Sequence, residues 1–227
     1  MREIIFDTET TGLDPLSGDR LVEIGCVEMV NRVTTGRTFH AYFNPQRDMP
    51  LEAERVHGLS AAFLSDKPLF ADMAGELLAF LGDSLLVAHN AQFDFGFLNA
   101  ELVACGREAI VMERMVDTLA IARRRHPGAK HSLDALCARY GVDRSHRVKH
   151  GALLDAELLA QVYVELMGGR QIGLELAGEV VEAVAEVRSF TPRTGTFRPA
   201  RPHSASAEEL ERHRAFLESL KAPLWLN

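Results

Sequence analysis

The spacing of apolar residues changes character near Ser60, and that change restricts the chain to a layered α/β fold. Three runs with strand character come first: Glu3 to Phe6, Leu21 to Met29 and Arg37 to Phe43. Turn formers such as Gly12-Leu13-Asp14-Pro15 and Ser17-Gly18-Asp19 separate them, so they read as an antiparallel meander. Beyond Ser60 the period moves toward 3.6 residues: Phe70, Met73, Leu77, Leu78 and Leu81 share one helix face, and Gly82-Asp83 closes it. Leu85 to Ala88 returns to a short strand. Gln92 to Cys105 is again helical through Phe93, Phe97, Leu98 and Leu102, with Gly106 as the stop. A strand-like run near Ile110 to Val116 precedes a helix that Ser132 caps and Gly141 ends, and a last helix runs from about Ala152 to Met167. Strands first, then strands alternating with helices, predict a mixed central sheet of about five strands flanked by helices.

At 227 residues the chain accommodates one domain of about 150 to 200 residues and a tail. The composition changes past Gly168-Gly169. From Arg188 to Ala205 there is no carboxylate, while Arg188, Arg193, Arg198 and Arg201 alternate with Pro192, Gly195, Pro199 and Pro202. That pattern predicts a flexible basic linker over residues 177–205. Ser206, Glu208, Glu209, Leu210, Phe216, Leu217 and Leu220 then restore a capped amphipathic helix that stops before Pro223. A lone helix beyond a linker has no core of its own and is expected to dock on a partner.

Composition removes several alternatives. No run approaches the roughly 18 to 20 apolar residues of a membrane span, and the short apolar run after Arg2 and Glu3 reads as a strand rather than a signal peptide. Cys26, Cys105 and Cys137 are odd in number and widely spaced, which suggests neither a disulfide frame nor a zinc knuckle and fits a reducing cytoplasm. A net charge of −7 argues against tight, unaided binding of nucleic acid. Clustered carboxylates that grip cations would lower the net charge in the same way, so charge alone does not fix the partner.

Asp7-Thr8-Glu9 follows the first apolar strand, and residues two apart on a strand point the same way. Two carboxylates thereby converge, a donor set suited to hard divalent cations such as Mg²⁺. Alone, the pattern equally describes a solvated surface. Asp94 lies in His89-Asn90-Ala91-Gln92-Phe93-Asp94, in the first turn of an otherwise apolar helix, where the helix dipole by itself also favours an aspartate. Asp155 lies between Leu154 and Leu158 on the last helix, with His150 five residues earlier beside Gly151. Five helical residues turn through about 140°, so His150 belongs to the entering loop, from which it can lean over the same site. Near several carboxylates a loop histidine becomes a candidate general base; in isolation it is simply solvated.

Asp7-Thr8-Glu9-Thr10-Thr11-Gly12, the Asn90 to Asp94 block and His150-x₄-Asp155 have the order and spacing of the three motifs of the DEDD-h 3′→5′ exonucleases. Over roughly residues 1–170 the chain resembles that family. The resemblance implies a ribonuclease H-like fold, two divalent ions (Mg²⁺ or Mn²⁺) held by Asp7, Glu9, Asp94 and Asp155, and His150 as the base that deprotonates water. It further implies substrate contacts from Glu9, Thr10, Leu13, Glu52, His57 and Asp155, at DNA 3′ ends. Glu52 also reads as a solvated helix carboxylate and His57 as a capping histidine beside Gly58. His89 and Asn90 are expected to shape a turn, and Asp117-Thr118 and Ser132-Leu133-Asp134 to cap helices.

Within the family, the layout is most similar to the proofreading subunits of bacterial replicative DNA polymerases. That likeness implies docking of residues 206–227, with the late Trp225, on the polymerase catalytic (alpha) subunit. Gln171-Ile172-Gly173-Leu174-Glu175-Leu176 resembles a sliding-clamp peptide, although it also describes a fraying helix. RNA-directed relatives of the oligoribonuclease type, which lack such a tail, and a non-catalytic polymerase adaptor are the alternatives.

Overall fold

Five strands pair in the order β3-β2-β1-β4-β5 in the computed structural model, which describes residues 1–145, 147, 149–169 and 204–219. They are β1 (Arg2–Thr10), β2 (Leu21–Val30), β3 (Val33–Tyr42), β4 (Leu85–Ala88) and β5 (Met115–Asp117). β1 to β3 form the expected antiparallel meander, whereas β1 with β4 and β4 with β5 are parallel. The helices are α1 (Leu51–His57), α2 (Ala61–Leu64), α3 (Phe70–Leu81), α4 (Ala91–Ala104), α5 (Thr118–Arg125), α6 (Leu133–Tyr140), α7 (Ala152–Leu166) and α8 (Ala207–Ser219). None is long and apolar enough to cross a membrane.

Strand alternation divides the core between the two faces of β1. Ile4 and Phe6 join Leu86 and Ala88 of β4 against α3 and α4, through Leu77, Phe95 and Leu98. Ile5 with Val27, Met29 and Val87 faces α7, where Ala156, Leu159 and Tyr163 cover them. α5 and α6 back α7 through Ala122, Leu136, Leu158 and Val162.

One segment departs from its sequence pattern and one expected cap opens a further helix. Of the strand-like run near Ile110 to Val116, only the end is a strand, because Ile110 is claimed by α4: its N–H donates to Asn99 Oδ1 at 2.7 Å and its carbonyl accepts from Asn99 Nδ2 at 3.0 Å. Met112–Arg114 then form a 3₁₀ turn. The Asp117-Thr118 cap opens a helix, α5, that the apolar pattern of Thr118–Arg125 is too short to announce; the Asp117 carboxylate accepts from Leu119 N–H at 2.9 Å. Ser132 caps α6 as expected, accepting from Ala135 N–H at 3.3 Å.

Gly25 decides how closely α7 approaches the sheet. It pairs with Asp7 across β1 and β2, and a Cβ at this position would lie 2.2 Å from the Leu153 backbone nitrogen. The first turn of α7 therefore rests on bare sheet backbone.

The chain divides into two units, Met1–Leu176 and Ala177–Asn227. In the second, Ser206 and Glu209 cap α8 reciprocally: Ser206 N–H donates to Glu209 Oε2 at 2.8 Å, and Glu209 N–H donates to Ser206 Oγ at 3.3 Å. Gln171 to Leu176, the basic segment through His203 and the terminal Leu220 to Asn227 lie outside the described residues.

Because backbone cannot yield as a side chain does, Gly25→Ala should push α7 off the sheet at a cost of about 1–3 kcal/mol. A lowered urea midpoint is the expected result; an unchanged midpoint would show that the contact is not limiting.

Candidate active site

Each acidic side chain reaches the C-terminal end of β1 for a local reason. Asp7 and Glu9 project from the α7-facing side of β1, and the β1–β2 register shifts between Glu9 and Thr10, a bulge beside the site. Asp94 arrives from the opposite layer, in the first turn of α4. Its helix begins at Asn90, which takes a left-handed conformation with φ of 67° and donates its N–H to Asp117 Oδ1 at 3.0 Å. This braced turn aims Asp94 around the strand, where Thr8 Oγ1 donates to Asp94 Oδ1 at 2.7 Å. Asp155 sits in the first turn of α7, and its N–H donates to the Gly151 carbonyl at 2.9 Å. His150 precedes the helix in the loop, with Nδ1 3.2 Å from Asp155 Oδ2.

Glu9, His150 and Asp155 each offer a ligand atom, all within 4.8 Å of one another. Asp7 and Asp94 act on this cluster through their charges. Burial raises Asp7 well above the usual carboxylate range, and Asp94, Glu9, Asp155 and Glu23 add to the shift. Burial pushes Glu9 up to about 8, with Glu23, Asp155 and Asp94 contributing and Arg147 opposing. Asp94 rises to about 7, again by burial, although the Thr8 hydrogen bond opposes it. Carboxylates held this far from their preferred ionisation lack positive charge. The carboxylate oxygens fit hard divalent cations, whereas the imidazole of His150 is not a ligand that such ions favour.

A cavity of about 460 Å³ adjoins Glu9, and Glu9, Thr10, Leu13, Glu52 and His57 all line it. Five of the six expected substrate contacts thus face one space; Asp155 is not part of its lining and belongs with His150. Leu13 stands 84% exposed at the rim. His57 is only 6% exposed and its Nδ1 accepts from Leu59 N–H at 3.0 Å. The neutral ring then carries its proton on Nε2, a buried atom near the Thr10 backbone that makes no hydrogen bond of normal geometry among the described residues. Burial also lowers the His57 pKa, which favours this neutral form.

Three residues were not foreseen. Glu23 pairs with Glu9 across the strands, is buried, and lies 2.7 Å from His40 Nε2. It is a fifth carboxylate beside the site. Arg147 Nε–H donates to Asp155 Oδ1 at 2.5 Å and Nη2–H to Oδ2 at 2.7 Å. Asp134, expected only to cap α6, accepts from Arg147 Nη1 at 2.9 Å and pairs with Arg144 Nη1 at 2.7 Å. The sequence signal for Glu23 is an acid inside an apolar strand; Arg147 gives none.

The profile of the exonuclease family matches residues 4–163. The chain is 51% identical over 228 residues to the DNA polymerase III subunit epsilon of Rickettsia felis, covering 97% of this chain and 97% of that one. It is 40% identical over 227 residues to the same subunit of Escherichia coli, covering 96% and 92%. The chain belongs to the exonuclease family of DNA polymerase III epsilon subunits. Exonuclease X, solved in complex with 5′ overhanging duplex DNA, is 26% identical, with a TM-score of 0.58 over 73% of this chain and 90% of that one. The epsilon-family chain therefore has the ribonuclease H-like exonuclease fold that its motifs implied, and it is a 3′→5′ exonuclease. Members of this family and fold work with divalent metal ions. Neither the RNA-directed nor the non-catalytic alternative is favoured.

The raised carboxylates fix a pH dependence. A folded-state pKa above the unfolded value means that the folded state binds protons more tightly, so stability falls as pH rises. For Glu9 the window runs from 4.5, its ordinary value, to about 8, and for Asp94 from 3.8 to about 7. Metal-free protein should lose melting temperature between these limits, and Mg²⁺ or Mn²⁺ should restore more of it at pH 8 than at pH 5, as measured by thermal unfolding. Equal restoration at the two pH values would show that cations do not neutralise these groups.

Proposed function

We propose that Asp7, Glu9, Asp94 and Asp155 hold two divalent cations, Mg²⁺ or Mn²⁺, and that His150 is the general base for hydrolysis of the terminal phosphodiester of a DNA 3′ end. The observation that carries this reading is the convergence of carboxylates from β1, α4 and α7 on one end of β1, beside a cavity of about 460 Å³. When bound, the cations neutralise the carboxylates and draw negative charge from the phosphate. His150 takes a proton from water, the water oxygen bonds to phosphorus, and the 3′ oxygen of the preceding nucleotide leaves in line. The product is a nucleoside 5′-monophosphate.

The cavity receives the terminal nucleotide. Thr10 and Glu52 supply polar walls, Leu13 supplies an exposed apolar edge for the base, and the unpartnered His57 Nε2–H donates to a sugar or phosphate oxygen. This donor acts in binding and not in proton transfer.

The relatives are subunits of DNA polymerase III, and this chain is read as the proofreading subunit of such an assembly. Residues 1–170 form the catalytic domain, 171–176 a sliding-clamp peptide, 177–205 a basic linker and 206–227 the segment that docks on the alpha subunit, all in the cytoplasm. Tethering of this kind gives a net-acidic nuclease the high local concentration at a primer end that its own charge would not provide.

Wild-type protein should release mononucleotides from single-stranded DNA and from mismatched primer DNA, in a metal-dependent manner, in preference to short RNA. Asp7→Ala should lower that rate by several orders of magnitude; absence of release by the wild type would overturn the reading. His57→Ala should raise KM several-fold with little change in kcat, and a fall in kcat alone would place His57 in the chemical step. Deleting everything after residue 180 should preserve hydrolysis and abolish co-elution with a polymerase alpha subunit; retained co-elution would remove the docking assignment.

A further inference from the structure

Arg147 engages the site more extensively than an incidental ion pair requires. Its side chain is 9% exposed, and its two parallel donors cover both oxygens of Asp155, at 2.5 and 2.7 Å. Nη2 also lies against the His150 ring, 2.7 Å from Nδ1 and 3.4 Å from Nε2. One guanidinium thus occupies a cation ligand and crowds the ring of the base. Its third donor, Nη1, holds Asp134 Oδ1 at 2.9 Å, on α6, where that half-exposed carboxylate also binds Arg144. The loop carrying Arg147 and His150 is tied to α1 by His150 N–H to the Val56 carbonyl at 3.4 Å.

We propose that Arg147 gates metal loading: it holds Asp155 and His150 in the metal-free enzyme and retreats to Asp134 when cations enter. This rests on the assignment of Asp155 as a metal ligand. A guanidinium and a divalent cation a few ångströms apart repel, and both need the same carboxylate. Their occupancies are therefore linked with negative sign: each weakens the other. Asp134 sets how easily Arg147 leaves, because it keeps one charged acceptor within reach after Asp155 is taken.

Calorimetric titration of the full chain with Mn²⁺ tests the gate without reference to turnover. Arg147→Ala should bind Mn²⁺ about tenfold more tightly than wild type, the effect of removing a competing charged hydrogen-bond partner. A merely structural arginine would have the opposite sign, since its loss would disorder Asp155 and weaken binding. Asp134→Asn should weaken binding in the wild-type background and have no effect in the Arg147→Ala background. Should Arg147→Ala not fold, Arg147→Lys, which keeps the charge but loses the paired donors, should still tighten binding. Unchanged or weaker binding in the Arg147 variants, or an Asp134→Asn effect that persists without Arg147, overturns the gate. Wild-type protein that binds no Mn²⁺, or Asp7→Ala that binds as wild type does, overturns the metal-site reading itself and the gate with it.

Discussion

Asp7, Glu9, Asp94 and Asp155, with Glu23 behind them, bring like charges to one end of β1, and the repulsion among them is what the surrounding structure has to manage. A strand presents its alternate residues at fixed spacing, so Asp7 and Glu9 have no freedom to separate. The fold offsets this with partial positive charge from helix N-termini: Asp94 and Asp155 both lie in first turns, where the backbone N–H groups point toward them. Gly25 lets α7 bring that positive end onto the sheet beside Asp7, and Thr8 supplies a hydroxyl donor to Asp94 from the opposite face. What the dipoles do not neutralise falls to the Arg147 guanidinium or to bound cations.

The same economy explains the frame of the site. The loop between β1 and β2 would otherwise be a long exposed turn. Arg20 ties it to α4 by a paired contact with Glu101, at 2.7 and 2.8 Å, and Leu21 N–H donates to the same carboxylate at 3.2 Å. That anchor fixes Leu13 at the cavity rim, and α1 supplies the facing wall through Glu52 and His57. The cavity therefore lies between the end of β1 and two segments outside the sheet, the β1–β2 loop and α1.

How much of this the sequence disclosed follows from the range of the signals involved. Asp7 and Glu9 were legible as a convergent pair because the strand period is local, whereas Asp94 and Asp155 each had an ordinary helix-start reading and joined that pair only through the family resemblance. The strand run at Ile110 was overcalled because its backbone is satisfied by Asn99, a side chain eleven residues away in the preceding helix that no period reveals. Glu23 and Gly25 depended on register: only the pairing of Glu9 with Glu23 and of Asp7 with Gly25 gives either a meaning. Arg147 was invisible because its three partners come from α6, α7 and the loop between them.

Charge also links the metal-free state to substrate. A phosphodiester carries the same sign as the carboxylates it must approach, so on the proposed reading DNA enters an unloaded site against both the acids and the chain's net charge of −7. Cations that neutralise Asp7, Glu9 and Asp155 reverse the local potential and draw the phosphate in the same step. Arg147 in its observed position meets only part of this need, because its guanidinium is engaged by Asp155, Asp134 and His150 and has little capacity left for phosphate. An enzyme so arranged holds its 3′ end weakly until loaded. Weak holding suits a proofreader, which must leave a correctly paired terminus to the polymerase and act on a frayed one.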